Sequence, residues 1–188
     1  MVKLHLGCGW RNFGEDWVHI DGGDYDHLDH HDVCNLPYEE GSVDLIYASH
    51  ILAYFDREEA PQVLKEWRRV LKNGGTLRVA TPDFEAMSAL YAKGEYTLDS
   101  FLGPLYGKMS MGKHTIYHKT AYDVESLKNM LLKAGFHDII MYEWQHTAHA
   151  QFDDHSQAYL PHMDKESGTL ISLNLECIKT DEDGICSR

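Results

Sequence analysis

The sequence predicts a doubly wound α/β fold, a mostly parallel sheet with an antiparallel last strand and a first crossover helix that is reduced. Three observations carry this. The apolar run Leu4-His5-Leu6 breaks into Gly7-Cys8-Gly9, and a second run, Trp17-Val18-His19-Ile20, ends in Asp21. Further on, short apolar runs alternate with segments of helical periodicity. The final run, Leu170 to Lys179, instead alternates apolar and polar residues, which suits an antiparallel edge hairpin better than a central parallel strand.

The link from Gly7 to Asp16 is barely long enough for a parallel crossover, which needs about 10–12 residues with its helix, so that helix is a turn or little more. Gly22 to Asp32 is polar and rich in turn formers and reads as a loop running into a short strand around His31 to Cys34. Ser42 to Ala48 is a strand that ends at Ser49-His50. Asp56 to Leu71 is a helix: Asp56 and Glu59 form a capping-box pattern, Val63, Leu64, Trp67, Val70 and Leu71 share a face, and Asn73-Gly74-Gly75 supplies the stop. A strand over Thr76 to Ala80 and a helix over Phe84 to Ala92 follow.

Gly94 to His118 has no clear period and mixes glycines with aromatic residues; a segment of this length is read as a lid. Asp123 caps a helix that reaches Ala134, and Ile139 to Tyr142 is a strand. Residues 1–179 thus read as one domain, with 94–118 as lid, 145–168 as a histidine-rich insertion and 180–188 as a flexible tail.

The formal net charge of −13 argues against nucleic acid and anionic membranes as partners, because displacing counterions from phosphates takes a basic face. Beyond Arg68-Arg69 and Lys72 there is no Lys/Arg cluster. Cys8, Cys34, Cys177 and Cys186 are scattered with no Cys-x-x-Cys pair, as in a reduced, cytoplasmic protein. No run approaches the length of a membrane span or a signal-peptide core.

Gly7, Gly9 and Asp21 form one hypothesis. Glycines directly after a strand let a ligand approach the main chain, and a carboxylate at the tip of the neighbouring strand accepts hydrogen bonds from a ribose diol. A dinucleotide site is disfavoured: the third glycine of Gly-x-Gly-x-x-Gly is Asn12 here, and Asp21 comes earlier than the usual spacing of about 20 residues. A nucleoside without a pyrophosphate fits better. The competing reading is a tight turn followed by a solvated strand-end aspartate.

The order Leu4-His5-Leu6-Gly7-Cys8-Gly9, Asp21, His31-Asp32-Val33, Leu36-Pro37, Ala48-Ser49-His50, Arg68-Arg69-Val70-Leu71-Lys72-Asn73-Gly74-Gly75 and Leu132-Lys133-Ala134-Gly135-Phe136 resembles the class I S-adenosylmethionine-dependent methyltransferases. It is most similar to compact members with a shortened first crossover, met in surface-polysaccharide and small-metabolite modification. The resemblance implies a Rossmann-like sheet and S-adenosylmethionine as cofactor. It places the backbone of Gly7, Cys8 and Gly9 along the methionine and ribose portion, Asp21 on the ribose hydroxyls, Asp32 and Val33 on adenine, and Ser49 or His50 at the methionine end. Many relatives carry an acid and a histidine where this chain has Ala53-Tyr54.

Methyl transfer is an in-line displacement on a sulfonium, so the protein mainly positions donor and acceptor and excludes water. An aromatic rim of Tyr54, Tyr106 or Tyr117 suits the cationic donor. A hydroxyl or protonated amine needs a base, for which His50 and His118 are the candidates, with Tyr54 as a third catalytic candidate. The expected acceptor is a small molecule or sugar bearing a hydroxyl, carboxylate or amine. Two alternatives stand beside this: an S-adenosylmethionine-binding protein with non-methyl group transfer or a sensor role, and metal binding through His146, His149, Asp153, Asp154, His155 and His162, whose spacing matches no established ligand frame. No metal is assigned.

Overall fold

A computed structural model describes residues 1–112 and 114–181; most of the expected tail, residues 182–188, lies outside the described residues. The chain opens with β1 (Lys3–Leu6) and β2 (Val18–Ile20), joined by turns with no helix between them. The strand β3 (Val43–Ser49) leads through a single 3-10 turn, Leu52–Tyr54, into α1 (Glu59–Val70). The capping box forms: Asp56 Oδ1 accepts from the Glu59 amide at 2.9 Å, and Glu59 Oε2 accepts from the Asp56 amide at 3.0 Å. Next come β4 (Leu71–Pro82), α2 (Phe84–Ala92), α3 (Asp99–Tyr106), and a hairpin of β5 (Met109–Met111) and β6 (His114–Ile116). The chain continues with α4 (Val124–Lys133), β7 (Phe136–Met141), the short pair β8 (Tyr159–Leu160) and β9 (Thr169–Leu170), and β10 (Ser172–Lys179).

The six-stranded sheet runs β2-β1-β3-β4-β10-β7. β1, β2, β3 and β4 pair in parallel, and β10 is antiparallel to both β4 and β7. β1 lies between β2 and β3, so the strand order reverses at its carboxyl end, where ligands bind in open α/β sheets.

Three expectations need correction. No strand forms around His31 to Cys34; only the bridge Ile20↔His30 extends the sheet beyond β2, because a single residue of that loop meets the strand. The helix ends at Val70, and Leu71-Lys72-Asn73-Gly74-Gly75 is already extended, with a register shift against β3 between Val43 and Leu45 absorbing the extra residues. The last strand is antiparallel but internal, and its polar residues Ser172 and Asn174 are buried.

The two faces of the sheet are covered differently. On one, Leu4, Leu6, Ile20, Ile46, Leu173 and Leu175 pack with Leu64, Trp67, Leu127 and Leu131 of α1 and α4 in a single core. On the other, where the missing first crossover helix leaves β1 and β2 bare, rings fill the space. Phe13 stacks on His5 with centroids 3.9 Å apart, His149 stacks on Phe13 at 5.1 Å, and Phe152 stacks on Phe13 at 4.8 Å. Below them Tyr47 donates to Asp154 Oδ2 at 2.6 Å. The histidine-rich segment thus serves this face as packing.

Candidate functional site

The carboxyl ends of β1, β2 and β3 deliver Gly7, Asp21 and Ser49-His50 to one rim. Asp21 is locked there: Oδ2 accepts from the Gly9 amide at 2.9 Å and Oδ1 from the Gly23 amide at 2.7 Å. Each carboxylate oxygen keeps a further lone pair for a hydroxyl. The two glycines of the turn differ. A Cβ on Gly7 would sit 2.7 Å from Ile51 Cβ, so Gly7 is there for close packing, whereas a Cβ on Gly9 would meet nothing within 4 Å. Both are left-handed, with φ of 67° and 58°.

Cys8 offers the site only its backbone. Its side chain is buried, with Sγ 3.9 Å from His27 Nε2, and burial pushes the thiol up to about 12. Asp32 is exposed, and its Oδ1 accepts from the Cys34 amide at 2.8 Å; Val33 is half-buried against the main core, and its carbonyl accepts from Trp67 Nε1 at 2.8 Å. Ser49 is buried with no hydrogen-bond partner on its hydroxyl among the described residues. It shares this with Thr81 Oγ1 at the end of the neighbouring strand β4.

His50, Tyr54 and His118 come together. His50 has φ of 53°, an αL conformation that a residue with a Cβ seldom adopts, and its amide donates to the Ala80 carbonyl at 2.8 Å. Its Nε2 lies 3.0 Å from Ser172 Oγ, and its ring centroid is 5.2 Å from that of His155. Burial, followed by the neighbouring His155, holds its imidazole well below the usual histidine range. His118 meets the Tyr54 ring edge-on at 4.5 Å. Its Nδ1 faces the carbonyls of Pro104 and Leu105 at 3.1 and 3.2 Å, and carbonyls only accept, so Nδ1 carries the proton and caps the end of α3.

Tyr54 ties down the segment expected to be a lid. Its hydroxyl donates to the Gly107 carbonyl at 2.5 Å, and burial raises the phenol to about 12, so it stays a donor. Next to it the Ala53 carbonyl accepts from the Lys119 amide at 2.8 Å. The tip of the β5–β6 hairpin reaches the Asp21 loop: Met111 Cε would lie 3.2 Å from a Cβ on Gly22. Tyr106 and Tyr117 are exposed.

Several residues of this cluster escaped sequence reasoning. His155 reads as part of a metal cluster, and Ser172 and Asn174 as the polar positions of an alternating edge hairpin. Arg11 carries no signal beyond its position after the glycine turn; its Nε donates to the Asp153 carbonyl at 2.7 Å, two residues from His155. The histidine-rich segment does not converge on a cation. Among the described residues no group of three or more His, Cys, Asp or Glu side chains is placed to hold a metal ion. His146 faces Glu143 at the surface, His149 is buried on Phe13, and His155 turns to His50. A separate open groove of about 1130 Å³ between α1 and α4 includes Arg57, Lys65 and Lys133 in its lining and none of the strand-end residues.

Comparison with known proteins bears on the fold. Residues 4–79 match the model of a family described as a methyltransferase domain. The demethylmenaquinone methyltransferase of Staphylococcus epidermidis is 31% identical over 129 residues, covering 61% of this chain and 48% of that protein. The chain therefore spans about half the length of the curated relatives it matches. A SAM-dependent methyltransferase from Archaeoglobus fulgidus superposes with a TM-score of 0.55 at 15% identity, covering 94% of this chain and 85% of that one. The 1,6-didemethyltoxoflavin-N1-methyltransferase of Burkholderia thailandensis, solved with 1,6-didemethyltoxoflavin and S-adenosylhomocysteine, gives 0.55 at 13% identity over 96% of this chain and 71% of that one. The chain has the fold of the class I S-adenosylmethionine-dependent methyltransferases, and its residues 4–79 match the methyltransferase-domain family.

Proposed function

We propose that the protein is an S-adenosylmethionine-dependent methyltransferase acting on a small molecule through a hydroxyl, carboxylate or amine. The observation that carries this is the Asp21 carboxylate, held by the Gly9 and Gly23 amides at the switch point of the sheet beside the open backbone of Gly9. The residues present fit an S-adenosyl group: Asp21 for a ribose diol, the uncovered turn at Gly9 for close main-chain approach, and the orphaned Ser49 hydroxyl for the amino-acid end. Asp32 and Val33 border the adenine side in this reading. Bound there, the cofactor supplies an electrophilic methyl on a sulfonium.

The chain's own groups do the rest. His50, neutral and fixed by its backbone and by Ser172, takes the proton of a hydroxyl or ammonium acceptor. His118 and Tyr54 clamp α3 and the hairpin over the rim, so that residues 94–118 exclude water as a lid. A small-molecule acceptor agrees with the names of the menaquinone and toxoflavin enzymes, and the net charge of −13 disfavours nucleic acid. No helix among the described residues is long and apolar enough to cross a membrane.

Calorimetry with S-adenosylmethionine and S-adenosylhomocysteine tests the reading. Binding of both, none of nicotinamide dinucleotides, and release of S-adenosylhomocysteine in the presence of an acceptor pool are expected. Binding without S-adenosylhomocysteine formation in any acceptor screen leaves a different group transfer or a sensor; no binding at all overturns the site.

A further inference from the structure

The buried polar stripe of β10 has a fixed direction of hydrogen bonding that ends on His50. Asn174 Nδ2 lies 2.9 Å from the Ser156 carbonyl oxygen. A carbonyl only accepts, so the amide turns its NH2 there and its Oδ1 toward Ser172. Ser172 Oγ is 2.9 Å from that Oδ1 and must donate to it. A hydroxyl has one proton, so toward His50 Nε2, 3.0 Å away, Ser172 only accepts. His50 therefore carries its proton on Nε2. Ser156, Ser172 and Asn174 are all at most 2% exposed, so water does not compete for these bonds. The neutral ring, favoured by burial, then keeps its lone pair on Nδ1.

We propose that Ser172 and Asn174 are positioning residues that lock His50 in the Nε2–H tautomer and so make Nδ1 the atom that receives the proton of the methyl acceptor. This rests on the methyl-transfer reading of the site. As the acceptor's lone pair forms its bond to the methyl carbon, the carbon–sulfur bond breaks with its electrons on sulfur. The acceptor's proton passes to Nδ1. The resulting imidazolium still donates Nε2–H to Ser172, whose own proton stays on Oγ and is donated to the Asn174 amide oxygen. Main chain and side chain hold the ring together: the His50 amide on Ala80 fixes one end and Ser172 the other. The groups that face this ring are His155 from the turn after Asp154, His118 from the segment after β6, and Arg11 from the first loop.

Long-range ¹H–¹⁵N spectra of the whole chain labelled at histidine test this, with His50→Gln assigning the His50 signals. A single Nε2–H tautomer is expected in the wild type, a tautomer mixture in Ser172→Ala, and return to one tautomer in Ser172→Thr, which keeps the hydroxyl. In turnover, Ser172→Ala should lower kcat at least tenfold and shift the acid limb of its pH profile while the KM for S-adenosylmethionine changes less than threefold; Ser172→Thr should restore both. An Nδ1–H tautomer in the wild-type spectrum overturns the proposal without any variant. Methyl transfer with an unlocked ring overturns it and spares the methyl-transfer reading, whereas a locked ring with no methyl transfer in any variant overturns that reading and the proton transfer built on it.

Discussion

The Asp21 carboxylate and the Gly9 amide are joined by a hydrogen bond of 2.9 Å, and this contact fixes the glycine turn to the strand-end carboxylate at the proposed nucleoside site. The same carboxylate holds the Gly23 amide, so Asp21 braces two turns of the rim. Asp21→Ala therefore loses two charge-assisted bonds, a cost of about 2–4 kcal/mol for a half-exposed pair. Urea unfolding should show a lowered midpoint, and calorimetry should show S-adenosylhomocysteine affinity reduced at least tenfold. Affinity retained in that variant would remove Asp21 from the ribose.

Gly7 and Gly9 separate packing from binding. An alanine at Gly7 meets Ile51 at 2.7 Å and must hold φ of 67°, so Gly7→Ala costs folding stability well beyond the roughly 1–2 kcal/mol of a left-handed alanine. Gly9→Ala has open space and incurs only that backbone cost, yet puts a methyl where the proposed cofactor would meet the main chain. Thermal melts should rank Gly7→Ala as the less stable variant, and titration with S-adenosylhomocysteine should show Gly9→Ala losing affinity while remaining folded. Equal affinity in Gly9→Ala and wild type would mean that the turn faces no ligand.

The ring stack on the bare sheet face makes stability depend on pH. Burial lowers His149 to about 4 and His5 well below its ordinary value, and neither ring nitrogen pair has a partner among the described residues. The unfolded chain binds these protons near 6.5, so between about 6.5 and 4 it holds more protons than the folded one. Stability is then full above about 6.5 and falls as the pH drops toward 4. His149→Phe keeps a ring on Phe13 and removes one titrating group, so its urea midpoint should decline less steeply between pH 7 and pH 5 than the wild type's. An unchanged slope would exclude His149 as a contributor.

Much of this was legible in the residues, and the gaps have identifiable causes. The Gly7–Gly9 turn, Asp21 and the Asp56–Glu59 box are local patterns whose meaning needs no partner. The alternation along β10 reports that the strand's two faces differ, but it does not say that either is wet; Ser172 and Asn174 found partners in His50 and Ser156 instead of water. The role of His149 was likewise invisible, since it depends on Phe13, which a shortened crossover leaves without a helix to pack on. A cluster of ligand-type side chains in sequence says nothing of convergence, and here the backbone sends His146, His149 and His155 in three directions.

Tyr54 lies just after the rim residues Ser49-His50, and its contacts give it a mechanical task. Its hydroxyl holds the Gly107 carbonyl just past α3, and its ring packs edge-on against His118, which caps the same helix. Tyr54→Phe keeps the ring contact and removes one hydrogen bond, so global stability should fall by only about 0.5–1.5 kcal/mol. The effect should instead be local. Hydrogen exchange across residues 99–116 should quicken, because the proposed lid loses the hydrogen bond at Gly107. Turnover should fall with a raised KM for the methyl acceptor and a nearly unchanged pH profile, since the hydroxyl, raised to about 12, titrates nothing in the working range. A Tyr54→Phe enzyme whose pH profile moved while exchange in the lid stayed at the wild-type rate would make the hydroxyl a chemical participant and not a latch.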